Sequence, residues 1–272
     1  MSQEVLQNLD NAFQIAVILY VIVRTMGLFR RQKSYLAVVF FLLGMINFLA
    51  SDLYWVTHQL MNPSMRLPFT ASEMGGNGWF LLSGAALATL RHERERVETK
   101  ISGRASEWCE MVFPILFATA STGLWIGWSG EWFKDILCGA AVAYFYLQCS
   151  RMAGVTGVFT RMEQIVLCIG AAVLVAMQTS IFFVPEVIGK RIDAGCYILM
   201  FAGIAMMFIK YLRAVRTRQD SDVLIALAFG CAACCISAMY MSADPIYFAA
   251  DTACSLSFLM MLQAMRKKVE TA

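Results

Sequence analysis

The sequence predicts an all-α polytopic membrane bundle of about nine transmembrane helices, N-terminus outside and C-terminus cytoplasmic. Three observations predict it. The 272-residue chain is 59% hydrophobic and only 15% charged, whereas a soluble domain carries about 25% charged residues. The apolar residues fall in blocks of about 18–25, the length that crosses a hydrocarbon core as a helix. Lys and Arg gather in alternate connecting segments, as they do where cytoplasmic loops retain positive charge.

The first ten residues, "MSQEVLQNLD", contain Glu4 and Asp10 and no positive charge. They lack the basic start of a cleavable signal, so the first apolar run, 11–30, is expected to stay as a helix. Further runs follow at 35–59, 77–95, 108–127, 131–150, 162–184, 192–213, 221–242 and 245–265. The run 77–95 is rich in Gly and Ala and ends in charge. The last two runs are joined only by "SADPIY", a tight link that Pro245 allows because proline is at home in a first helical turn.

Orientation follows from the basic residues. With the N-terminus outside, the inner segments 30–34, 91–107, 151–161, 210–220 and 266–272 hold 17 of them. The outer segments hold Arg66, Lys134, Lys190 and Arg191, and Arg24 lies within the first helix. The flipped topology would invert this bias, and an eight-helix count would break the alternation. The whole chain, 1–272, is then a single integral membrane domain whose first partner is the lipid bilayer. The pattern is that of a multi-pass protein of a bacterial inner membrane.

The longest inner segment, 91–107, alternates in sign: "RHERERVETKISGRASE". It is expected to prolong a helix beyond the membrane, with Glu–Arg pairs at helical spacing adding tenths of a kcal/mol each. Its alternative role is a docking surface for a cytoplasmic protein partner. Eight of the nine cysteines lie in or at the edge of apolar runs, and Cys109 sits beside one. Buried thiols pack as small apolar groups, so no disulfide framework is expected. "CAACC" at 231–235 places Cys231, Cys234 and Cys235 on one helix face, where small residues let helices approach closely.

The chemistry gathers at one depth. Asp52 stands about six residues before the outer end of the second run, roughly 9 Å below the surface at about 1.5 Å per residue. Asp251 is equally deep in the last run, and Gln178, Thr179 and Ser180 fall in the same layer of the sixth. Asn47, Ser51, Asp52, Tyr54 and Trp55 recur at spacings of three and four, a polar stripe. A carboxylate at a helix centre costs roughly 2.5–3.5 kcal/mol, less near the interface, so Asp52 and Asp251 are expected to face a pocket or a partner.

The outer loop, 60–76, is a candidate lid. Asn62-Pro63 signals a turn, Thr70 and Glu73 have capping-box spacing, and Gly75, Gly76 and Gly78 are expected to give a flexible start to the third helix. His58, Arg66 and Glu73 would close over Asp52, Asp251 and Gln178, with Tyr54 and Trp55 beside them. In the plainer reading the loop is interfacial, with Trp55, Phe69 and Trp79 in the aromatic belt.

No HExxH, nucleotide-binding loop or GxSxG occurs in the chain. No metal, cofactor or nucleic acid is therefore expected, and no catalytic residue is assigned. The expected function is binding, transport or sensing, with an outward-facing polar pocket for a small molecule, ion or proton. Two alternatives stand beside it. One is an intramembrane enzyme acting on a lipid-like substrate at the outer leaflet. The other is a structural or assembly subunit whose polar layer is a contact surface.

Overall fold

A computed structural model describes residues 3–31, 35–61, 71–97, 104–240 and 246–271. The chain is an all-α membrane bundle. Among the described residues there are nine α-helices and one short 3-10 helix: α1 Gln3–Met26, the 3-10 turn Gly27–Arg31, α2 Tyr35–Met61, α3 Ala71–Val97, α4 Arg104–Ser129, α5 Trp132–Thr156, α6 Arg161–Ile181, α7 Glu186–Arg216, α8 Ser221–Tyr240 and α9 Ile246–Thr271. Six of them, α1, α2, α6, α7, α8 and α9, are long and apolar enough to cross a bilayer by themselves. In α4 the apolar stretch is shorter, Pro114–Gly127.

Helix α8 is the axis, packed against α5, α7 and α9. From α9 the bundle continues through α1, α2, α3 and α5. On the other side, α4 joins α5 and α6, and α6 leans on α7. Trp79 of α3 is fully buried and stands at the centre of an aromatic cluster. The rings of Phe48, Phe80, Phe145 and Phe258 lie 5.1–5.7 Å from its own. It therefore belongs to the core and not to the interfacial belt. Four helices converge on it, so its indole fills space that no smaller ring would close.

The glycines before Trp79 also act differently from expectation. Residues 71–76 are the first turns of α3, so this part of the expected lid is helix. A Cβ on Gly75 would come within 2.7 Å of the Asn47 carbonyl oxygen, and one on Gly78 within 2.7 Å of the Asn47 side chain. The glycines let α3 lie directly on α2, the close-packing use of small residues in membranes. Residues 62–70, with Arg66, Phe69 and Thr70, lie outside the described residues, and Leu60 and Met61 complete α2.

At the inner end, ion pairs tie helices together. Asp222 of α8 is almost completely buried; it meets Lys268 of α9 at 2.7 Å and Arg94 of α3 at 3.2 Å. Arg94 also reaches the more exposed Asp220 at 3.0 Å. Partial burial alone would raise the Asp220 carboxyl. The Asp222 backbone N–H and the Arg94 and Lys268 charges outweigh it and hold the group below its ordinary value. Whatever stability Asp220 contributes is thus present at neutral pH and is lost as the pH falls through that lowered value. Arg94 shows that α3 continues past the apolar region to Val97, as the alternating charges suggest, while residues 98–103 lie outside the described residues. On the far side Thr160 and Glu163 form a capping box at the start of α6, and Glu163 also pairs with Lys210 of α7 at 2.5 Å.

Two substitutions test this scaffold. Gly75→Ala gains roughly 1 kcal/mol of helix propensity but drives a methyl group into a backbone carbonyl. Overpacking of that kind costs about 1–3 kcal/mol, so the thermal midpoint in detergent should fall, whereas Gly76→Ala, which meets nothing within 4 Å, should not lower it. Asp222→Ala leaves two cations without their buried partner, a loss of about 3–5 kcal/mol. Asp220→Ala at the exposed rim should cost far less in the same melting assay.

Candidate functional site: an acidic cluster at the outer end

Helix α1 begins eight residues before the expected position, at Gln3. This extension puts Asp10 and Gln14, one turn apart, inside the bundle. Both are buried, with only 8% and 5% of their surface exposed. They face α9. Gln14 donates its side-chain N–H to Asp251 Oδ1, and the Thr252 hydroxyl donates to Asp10 Oδ1 at 3.0 Å. Two crossed hydrogen bonds thus stitch α1 to α9 at one level.

They also bring the carboxyl groups of Asp10 and Asp251 against each other. Asp52 of α2 is close enough to add its field to both. One of its oxygens, Oδ2, is sealed from solvent with no hydrogen-bond partner among the described residues. Tyr247, one turn outward of Asp251, sits in the field of all three carboxyls. The result is a ring of three acids from α1, α2 and α9, with Gln14, Thr252 and Tyr247 as its polar neighbours. Among the described residues no Lys, Arg or His forms an ion pair with any of the three.

Three carboxylates in low dielectric repel one another strongly, and an isolated buried charge is among the most costly groups to accommodate. Among the described residues no basic side chain offsets that repulsion. Among the described residues no three His, Cys, Asp or Glu side chains are disposed to grip one metal ion. The acids surround a region of negative potential more than they define a coordination sphere.

The structure brings Asp52 and Asp251 together and separates them from several residues expected beside them. Gln178 is fully buried, but its polar neighbours are Asp193 and Cys196 of α7. Its helix packs on α7 and α4, away from the acids. Equal depth put Gln178 in the same layer without putting it in the same seam. Tyr54 and Trp55 are 36% and 42% exposed and look outward. His58 stacks parallel on Tyr54 at 6.4 Å, on that outward face. The supposed polar stripe of α2 therefore divides: Asn47 and Ser51 meet α3, Asp52 lies in the field of Asp10 and Asp251, and the aromatic residues leave the bundle. Of the expected lid, Glu73 lies in the first turn of α3, and Arg66 lies outside the described residues.

Sequence reasoning missed Asp10 and Gln14. Their i, i+4 spacing across the start of the first apolar run was the available signal, since it marks a polar face on the first turns of a helix that enters the membrane. Elsewhere several polar groups have ordinary structural uses. Ser129 accepts the Glu131 N–H at 3.0 Å and bonds Asp135, at the junction between α4 and α5. Cys231, Cys235 and Cys254 are fully buried free thiols between α8 and α9.

Removing the Gln14 amide checks the stitch. Gln14→Leu keeps the bulk but leaves Asp251 without its donor, at a cost of about 1–3 kcal/mol. The thermal midpoint should drop, while His58→Ala, on the opposite side of α2, should leave it within about 0.5 kcal/mol of wild type. Comparison with protein-family models, curated proteins and solved structures found no match to this chain, so the reach of the cluster follows from its own chemistry.

Proposed function

We propose that the protein is a transport protein of the bacterial inner membrane that binds a proton or another monovalent cation at an outward-facing acidic cluster. One observation carries the reading: Asp10, Asp52 and Asp251 converge from three helices with no basic ion-pair partner among the described residues. Ionisable residues inside a membrane are costly and mark ion or proton pathways. A structural cluster would be expected to carry its own counter-charge, as Asp222 does at the other end of the bundle.

The cation would neutralise the cluster, and its departure would restore the repulsion among the acids. The three helices then have two states with different spacings, which is the requirement for passing a ligand across or for reporting its presence. In a sensing version the inner segment 91–107 would offer the cytoplasmic partner its surface. An enzyme with His58 as its base would hold it beside a carboxylate, and His58 stacks on Tyr54 instead. A contact surface would turn the acids outward, but Asp10 and Asp251 are buried.

The test is thermal unfolding of the full chain in detergent, with the pH lowered stepwise and with NaCl or KCl added against an impermeant organic salt. A cation present at 100 times its Kd stabilises the folded state by about 2.7 kcal/mol, which is roughly 5–10 °C at this size. At least one of H⁺, Na⁺ and K⁺ should give such a shift, and Asp251→Asn should abolish it. If none of them stabilises the wild type, or if the Asn variant responds equally, the reading is wrong.

A further inference from the structure

An open groove of about 460 Å³ runs along the seam between α1 and α9, at the level of the acids. Leu6, Leu9 and Phe13 form its α1 wall, and Phe248 and Ala249 its α9 wall. Among the described residues that line it, only Asp10 and Thr252 lend it polarity. Leu9 and Phe13 are 56% and 40% exposed at its rim, so the groove opens on the outside of the α1–α9 pair. By the orientation of the chain, that side faces the outer leaflet.

Chemistry narrows the occupant. The walls are aliphatic and aromatic, so they favour an apolar body. The polar lining includes one oxygen of Asp10 bonded by Thr252, and behind Asp10 stand Asp251 and Asp52. An acyl chain would fill the volume and leave the negative potential uncompensated. An anionic headgroup would be repelled by it. A hydrated metal ion would gain nothing from the walls. A monocation with an apolar body satisfies both features: its charge meets Asp10, and its rings or chains cover the walls. The volume falls within the roughly 300–1,000 Å³ of small-molecule sites. Aromatic faces also attract organic cations, by about 0.5–2 kcal/mol depending on desolvation, and Phe13 and Phe248 offer two.

We infer that the α1–α9 groove binds amphiphilic organic monocations taken laterally from the outer leaflet, with Asp10 as the residue that meets their charge. This rests on the reading of the acids as a cation site and names a substrate class for it. Access from the side also explains why Asp10 alone of the three acids lines the groove: it is the first carboxylate such a ligand meets.

The experiment uses the full chain in lipid nanodiscs and equilibrium dialysis with radiolabelled tetraphenylphosphonium, subtracting binding to empty discs. Saturable binding near one per chain is expected. Neutral triphenylphosphine oxide should compete at least tenfold more weakly. Asp10→Asn should weaken tetraphenylphosphonium binding at least tenfold, and Ala249→Trp, which fills the groove without touching the charge, should do the same. If one variant fails to fold, the other still decides. Binding no greater than that of empty discs overturns the inference, as does equal affinity for the neutral probe or unchanged affinity in a folded variant. The melting response to H⁺, Na⁺ or K⁺ is read on the same wild-type sample. If that response persists while tetraphenylphosphonium fails, only the groove assignment falls; if both fail, the cation site falls with it.

Discussion

The bilayer core offers no hydrogen bonds, and everything polar in this chain is arranged around that fact. Helices satisfy the backbone within each segment. Many hydroxyls are satisfied in the same way, turning back on their own helix. Thr25 bonds Val21, Thr89 bonds Ala85, Thr122 bonds Ala118 and Ser237 bonds Ala233, all onto the carbonyl one turn earlier at 2.7–2.9 Å. The Asn47 amide does likewise onto Leu43 at 2.9 Å. A carboxylate has no such local solution, because it only accepts when ionised. It must find a partner on another helix, and that requirement decides where α1, α2 and α9 meet.

The two ends of α9 solve the same problem in opposite ways. At the inner end Asp222 is met by Arg94 and Lys268. Burial there is compensated, and the pairs hold three helices in one arrangement. At the outer end Asp251 meets Gln14, a neutral donor, and two further acids. Burial there has no basic ion-pair partner among the described residues. The contrast separates an ion network that carries its own counter-charge from an acidic cluster that has none among the described residues. It also makes α9 the natural link between them, since one continuous helix holds both Asp251 and Lys268.

The fold was highly legible in the sequence. Runs of apolar residues located all nine helices, because hydrocarbon thickness fixes their length. Depth was legible as well: Asp52 and Asp251 were placed in one layer by counting residues from helix ends, and each lies within the other's electrostatic reach. Lateral position was not. Gln178 shares the layer of the acids and still belongs to another seam, because counting along a helix says nothing about which helix stands beside it. Periodicity failed where it ran on too long, joining Tyr54 and Trp55 to Asp52 although these aromatic residues face outward. Asp10 escaped because a polar prefix reads as a connecting segment until a partner such as Thr252, 242 positions away, draws it into the helix.

The glycines of α3 show why the third acid sits where it does. Gly75 and Gly78 bring α3 against Asn47 and Ser51, which occupies that face of α2 with backbone contact. Asp52 is the residue after Ser51, a turn of about 100° away at about 3.6 residues per turn. A face so tightly filled by α3 leaves no room for a carboxylate, and the outward face belongs to Leu53, Tyr54 and Trp55. The seam with α1 and α9 is the position that remains. Close packing by small residues on one side of α2 thus directs a charged side chain into the cluster on the other, and the acid ring is a consequence of helix packing as much as of the acids themselves.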